Sequence, residues 1–157
     1  MMHMHHVSEE SPLPNADLPC ACTSLRKAAR AVSRLYDGHM GLDGANITQF
    51  AILRALEREP DQPLSRLAEA MVMDRTSLYR ALTPMAREGW IVIQAGSTGR
   101  TKIARLAEKG QAVMRQALPH WAAAQTRFIE AFGREEWSAL SETLKGVVGM
   151  VAGGCRS

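Results

Sequence analysis

The chain has 157 residues, 46% apolar and 22% charged, which suits one globular domain, or a small domain plus an oligomerisation element, with a real core. No apolar run approaches the roughly 18 residues that span a bilayer, and the N-terminus has no charged-then-apolar signal layout, so a cytoplasmic protein without a membrane partner is expected. The formal net charge is only +3, and three cysteines, an odd number, do not suggest a disulfide framework.

Residues 1–18 carry His3, His5 and His6 with little periodicity and read as a disordered arm. Those histidines could hold a metal loosely, but a flexible tail without a fixed second shell predicts no metal site and no cofactor. From Cys20 to Met40, Leu25, Ala28, Ala29, Val32, Leu35, Tyr36 and His39 recur at helical spacing and predict a first helix, which "GLDGAN" breaks. A second helix follows over Thr48–Glu59, with Phe50, Leu53 and Leu56 inward, and "PDQP" ends it. "LSRLAEAM" predicts a short third helix capped by Ser65, with Leu67, Ala68 and Met71 inward. The fourth starts at Asp74, whose carboxylate can accept from the free amide of Ser77, and stops at Glu88 before Gly89. Leu78, Leu82 and Met85 fall on one stripe of it, while Pro84 removes an amide from its interior.

"WIVIQ" and "RTKIARL", joined by "AGSTG", predict a two-stranded hairpin. A fifth helix is expected over Ala107–Phe132, with Val113, Ala117, Leu118, Trp121, Gln125, Phe128 and Phe132 near one face and a kink at Pro119. The sixth opens at "GREEW", where Gly133 caps and Glu135 and Glu136 favour the positive end of the helix dipole. Trp137, Leu140, Leu144, Val147 and Val151 carry it onward.

The fourth helix has an unusual outward face. Thr76 and Arg80 point away from the apolar stripe, Ser77, Tyr79 and Thr83 flank it, and no acid appears between Asp74 and Glu88. An ordinary solvated face would favour Glu and Lys, which form helix well and pair four residues apart. Residues 65–106 hold seven basic and three acidic residues, a net of +4, so the rest of the chain sums to −1. A concentrated basic patch suits a polyanion. Two short helices, the second polar and basic outside, followed by a hairpin with Arg100 and Lys102 near its tip, predict a mainly α fold with a small β-hairpin wing: a winged helix-turn-helix. Double-stranded DNA is then the expected partner. Thr76, Ser77, Tyr79 and Arg80 are placed in a groove, where arginine can fork onto guanine and hydroxyls can donate or accept. Arg75 and Thr83 are placed on phosphates, and Arg100 and Lys102 on the wing. The bland alternative is a solvated face whose arginines fall there by chance.

"ITQFAILRAL", "LSRLAEAMVMDRTSLYRALTPMAREGWI" and "RTKIARLAEKG" closely resemble the MarR family of bacterial transcription regulators, and "CACTSLRKAARAVSRLYD" is similar to a pattern in part of it. The resemblance implies an obligate homodimer built from helices 1, 5 and 6, with two lobes reading a palindrome. It implies a repressor released by a small, often aromatic, effector. With the arm at 1–18, the organisation expected is a dimerisation helix at 19–44, the DNA-binding lobe at 45–106, two dimerisation helices at 107–153 and a tail at 154–157. An effector pocket between lobe and dimer helices would draw on Tyr36, His39, Phe50, Leu53 and Trp121, with Arg30 or Arg34 to pair a carboxylate. The same apolar side chains would serve equally as core.

Two departures stand out. The family's wing usually carries Asp-x-Arg-Asp or Asp-Arg-Arg; "GSTGRTK" has no acid, so Arg100, the best match to the wing arginine, lacks the Asp that commonly positions it. A more mobile wing is expected. Leu106-Ala107 replaces the family's frequent Leu-Thr before helix 5, losing a cap worth about 1 kcal/mol.

Oxidant-sensing members of the family use a helix 1 cysteine, so a thiol-sensing regulator acting through Cys20 or Cys22 is the alternative. Two residues apart on a helix, those thiols would project roughly 200° apart, unsuited to a disulfide; an N-terminal start outside the helix weakens that objection. Cys155 reads as incidental. An enzyme is not expected: Ser24 to Lys27 matches Ser-x-x-Lys, but no partner motif follows. A protein–protein adaptor would need an apolar outward face on the fourth helix.

Overall fold

The computed structural model describes residues 13–41 and 44–154. His3, His5, His6 and Cys155 lie outside the described residues, as does residues 1–12 of the arm. The chain divides into two compact units at Val32–Ser33. In the first, Leu13–Leu18 form a turn, with the Leu18 amide donating to the Asn15 carbonyl (3.1 Å), and helix α1 (Ala21–Met40) begins. Residues 13–31 are all exposed.

The second unit holds the core. Helix α2 (Ile47–Arg58) starts at a full capping box: Asn46 accepts from the Gln49 amide (2.8 Å), and Gln49 accepts from the Asn46 amide (3.0 Å). Helix α3 (Leu64–Met71) does not use Ser65 as its cap, contrary to the sequence expectation. Its N-cap is Pro63, which has no side-chain hydrogen bond, and Leu64 is already helical and buried. The pull of Leu64 into the core outweighs the capping preference of an exposed serine.

Helix α4 (Arg75–Arg87) follows its predicted boundaries, with Asp74 as cap and a left-handed Gly89 (φ +76°) after its end. Pro84 is accommodated inside it. Leu78, Leu82 and Met85 are at most 1% exposed, and α4 packs on α2, α3 and the sheet. With Ile52, Leu53, Leu56 and Leu67 they form the centre of the core; each such side chain contributes about 1.5–3 kcal/mol.

The sheet has three strands rather than the expected two. Strand β1 (Gln62–Pro63), inside the predicted breaker, pairs antiparallel with β3 (Lys102–Leu106), which pairs with β2 (Ile91–Ala95). A proline is tolerated in β1 because it lies at the sheet edge. Gln62 is buried there, its Nε2 donating to the Ala55 carbonyl at 3.3 Å. No periodicity can announce two residues.

Helix α5 (Glu108–Phe132) runs through Pro119, and its N-cap Ala107 makes no side-chain hydrogen bond, as the lost threonine implied. Its buried stripe is Gly110, Met114, Ala117 and Ala124; the predicted inward Leu118 and Phe132 are 40% and 43% exposed. Among the described residues of helix α6 (Arg134–Gly154) none is buried, although Trp137, Leu144 and Val147 are half-buried.

Gly110 marks a close approach of α5 to Trp90, just before β2, and to Leu106 of β3. A Cβ there would collide with the Trp90 carbonyl oxygen and lie 2.8 Å from Leu106 Cδ1. Gly110→Ala should therefore lower stability by about 1–3 kcal/mol despite alanine's helix preference, read as a lower urea midpoint at unchanged slope.

Candidate nucleic-acid interface

The turn between α3 and α4 sets the presentation of α4. It pivots on Val72, in the left-handed region (φ +51°, ψ +44°), whose amide donates to the Ala68 and Glu69 carbonyls. A β-branched residue is disfavoured there by about 1–2 kcal/mol, and nothing in the sequence signals the conformation. Asp74 then caps α4, its Oδ1 accepting from the Ser77 amide (2.7 Å) and its Oδ2 from the Ser77 hydroxyl (3.1 Å).

Because the apolar stripe is buried, the opposite face is turned outward. Arg75, Thr76, Arg80 and Thr83 are exposed, while Ser77 and Tyr79 are half-buried. Hydrogen bonding divides these residues further. The Ser77 hydroxyl hydrogen is committed to Asp74, and the Thr83 hydroxyl donates to the Tyr79 carbonyl at 2.7 Å. Both keep only acceptor capacity for a ligand. Arg75 and Arg80 have no salt-bridge partner among the described residues.

The wing lies beside this face. Its connection, residues 96–101, is longer than the expected tip, so Arg100 sits in an exposed loop and Lys102 opens β3. The loop is tied internally: the Gly96 amide donates to the Thr101 carbonyl (2.5 Å), and the Thr98 and Thr101 hydroxyls meet at 3.1 Å. Arg75, Tyr79, Arg100 and Lys102 converge with Ser65 on a cleft of about 280 Å³ between α3, α4 and the wing. Three cations around so small a cleft suit an anionic group.

Two cations of the basic segment are occupied elsewhere. Arg105 Nε donates to Asp61 (2.6 Å), and Arg66 pairs with Glu59 (3.0 Å). The hydrogen bond from Arg105 holds the Asp61 carboxyl below its ordinary range. Both acids lie just N-terminal to residues 65–106, so the sequence count overstated the available charge, and what remains is gathered at α4 and the wing.

The residues expected at an effector pocket are distributed differently. Leu53 is fully buried core, and Phe50, 3% exposed, stacks on Trp121 with ring centroids 6.0 Å apart. The Tyr36 hydroxyl donates to Gln125 Oε1, and burial pushes its pKa up. His39 Nδ1 meets the Leu35 carbonyl at 2.9 Å. Arg34 is exposed, as is Arg30 in the first unit. The structure thus brings together two pairs, Phe50 with Trp121 and Tyr36 with Gln125. Cys20 lies just before α1, where its carbonyl accepts from the Ser24 amide (3.0 Å), and Cys22 lies within it; both are exposed. Hydrogen bonds from the Thr23 side chain and backbone lower the Cys20 pKa. Among the described residues there is no cluster of three or more His, Cys, Asp or Glu able to hold a metal, and no helix long and apolar enough to cross a membrane.

A buried-stripe helix after a tight turn, presenting arginines beside a basic β-wing, defines a winged helix-turn-helix protein. The MarR family model matches residues 45–98. The chain is 27% identical over 124 residues to the HTH-type transcriptional regulator MhqR of Bacillus subtilis, covering 78% of this chain and 86% of that one. It is similar to the transcriptional regulator MosR of M. tuberculosis, solved in complex with DNA: TM-score 0.79, 30% identity, 88% of this chain and all of that one. The PcaV transcriptional regulator of Streptomyces coelicolor, solved with its natural ligand, shares the fold at TM-score 0.73 and 21% identity, over 87% of this chain and 96% of that one. The chain belongs to the MarR family, as a DNA-binding, winged-helix transcription regulator. Its relatives here are transcription regulators, not enzymes.

The Asp74 cap has a pH signature. Hydrogen bonds from the Ser77 amide, then its hydroxyl, depress the folded-state pKa of Asp74. Its contribution is therefore present above the unfolded value of about 3.9 and lost as pH falls through the folded value. Asp74→Asn keeps an acceptor without the titration, so its urea midpoint should fall less between pH 7 and pH 3 than that of the unsubstituted protein.

Proposed function

We propose that the protein is a cytoplasmic, homodimeric repressor that binds a palindromic operator through α4 and the wing, and leaves it when a small, possibly aromatic, effector binds. The observation that carries the reading is the outward face of α4, where Arg75, Thr76 and Arg80 are exposed and the two arginines have no salt-bridge partner among the described residues. Thr76 and Arg80 then enter the major groove, with the acceptor oxygens of Ser77 and Thr83 beside them. Arg75, Arg100 and Lys102 grip phosphates.

Homodimerisation is supported by apolar surface that one chain leaves uncovered. Along α6, Leu140, Val148, Met150 and Val151 are exposed, and Phe132 lies exposed at the end of α5. Buried between two copies, together with α1, this surface would supply the association. Two copies of α4 would then meet half-sites about one DNA turn apart, and an effector acts by favouring a dimer in which that spacing is lost.

Binding to the duplex upstream of the protein's own coding region, with and without aromatic acids, tests the reading. Arg80→Ala should lose about 1–3 kcal/mol of binding to the preferred site and little on random duplex. Equal loss on both would reduce Arg80 to a backbone contact, and no salt-sensitive binding to any duplex would remove the DNA reading altogether.

A second reading, thiol sensing, is favoured by one observation. Cys20 lies just before the helix, which weakens the geometric objection to its meeting Cys22, and hydrogen bonds from Thr23 lower its pKa. Under this reading a thiol oxidant abolishes operator binding, dithiothreitol restores it, and Cys20→Ser is unresponsive. Operator binding indifferent to the oxidant excludes it.

A further inference from the structure

The loop of the wing carries no acid to hold it, yet a cation at its edge is held. Lys102, the first residue of β3, places its ammonium 5.9 Å from the centroid of the Tyr79 ring, on the second turn of α4. Tyr79 is itself fixed: it is half-buried and packs against the core cluster that includes Leu78 and Leu82. The ring presents its electron-rich face to a cation on the wing while its body is anchored in the lobe. Arg75 precedes Tyr79 by one helical turn, and Arg100 precedes Lys102 by two residues, so all three cations line the same cleft as the ring.

We propose that Tyr79 is a positioning residue. Its ring face holds Lys102, and with it the loop end of the wing, against α4, so that Arg75, Arg100 and Lys102 grip one stretch of the phosphate backbone together. The aromatic ring thereby replaces the carboxylate that this wing lacks. The inference rests on the DNA-binding reading for its consequence but not for its geometry, and the two can fail separately. It also reassigns Tyr79, whose phenol would otherwise be read as a direct contact to DNA.

The discriminating comparison is Tyr79→Phe, which keeps the ring face and loses the hydroxyl, with Tyr79→Leu, which fills the half-buried site without a ring. In the free protein, the ε-methylene protons of Lys102 should be shifted upfield by the ring current. That shift should persist in Tyr79→Phe and vanish in Tyr79→Leu. On a mixed-sequence duplex, Tyr79→Phe should bind within twofold of the unsubstituted protein. Tyr79→Leu should bind about two- to fivefold more weakly, the equilibrium weight of an exposed cation–π contact. Lys102→Gln should lower the salt slope by about one, and adding Tyr79→Leu to it should weaken binding no further. The proposal is overturned if Tyr79→Phe loses as much as Tyr79→Leu, if the two substitutions are additive, or if the Lys102 resonances ignore residue 79. Should the unsubstituted protein bind no duplex at all, the DNA reading fails, while the resonance shifts still decide whether the ring holds the wing.

Discussion

The burial of Leu78, Leu82 and Met85 in the groove formed by α2, α3 and the sheet is the constraint on which the site depends. These three side chains fix the rotation of α4 about its own axis, and once that rotation is fixed the opposite residues have only the outside to face. A rotation of α4 by one residue would drive Tyr79 or Thr83 into a space shaped for leucine, burying a hydroxyl without a partner and exposing apolar surface. The outward arginines are therefore held indirectly, by what lies on the far side of the helix. The same packing has a local consequence at Val72: the turn that delivers α4 onto the core places a β-branched residue in the left-handed region, an expense met by the core contacts on either side.

Electrostatics refine this arrangement. The pairs Arg105–Asp61 and Arg66–Glu59 withdraw two cations from the pool. They are surface pairs and contribute little to stability, yet Arg105 links β3 to the residue just before β1, at the sheet's edge. Of the cations left without a salt bridge, Arg75, Arg100 and Lys102 border one cleft, and Arg80 lies exposed on the same helix as Arg75. Charge and shape thus converge on α4 and the wing, where a polyanion gains most from meeting several cations in fixed register. Elsewhere the surface has a different character: α6 exposes Leu140, Val148, Met150 and Val151 alongside its charged residues.

Much of the lobe was legible in the sequence because its signals are local and repeated. The boundaries of α4, the Asp74 cap, the Gly89 stop and the stripe at Leu78, Leu82 and Met85 all follow from spacing within one helix. The strand pair β2–β3 was readable from β-branched runs around a turn. Less legible were features that need a distant partner. Strand β1 is two residues long and exists only because β3 offers it an edge; Leu118 has the right spacing for the α5 interior but faces outward, since small residues at Gly110, Ala117 and Ala124 are what the close approach of neighbouring elements demands. Of the interface residues, exposure was predictable from the wheel, whereas the commitment of the Ser77 and Thr83 hydroxyls to Asp74 and Tyr79 was not.

The chain alone determined the helical register, the polar outer face of α4 and the family to which the protein belongs, because each is written in residues close together and in a motif of some fifty positions. Tertiary structure decided which cations stay free, which hydroxyls are spent, and that Lys102 rests over the ring of Tyr79, twenty-three positions earlier in the chain. The physical reason is range: periodicity and caps act over a turn or two of backbone, while ion pairing and ring contacts are settled only when folding brings remote side chains within a few ångströms.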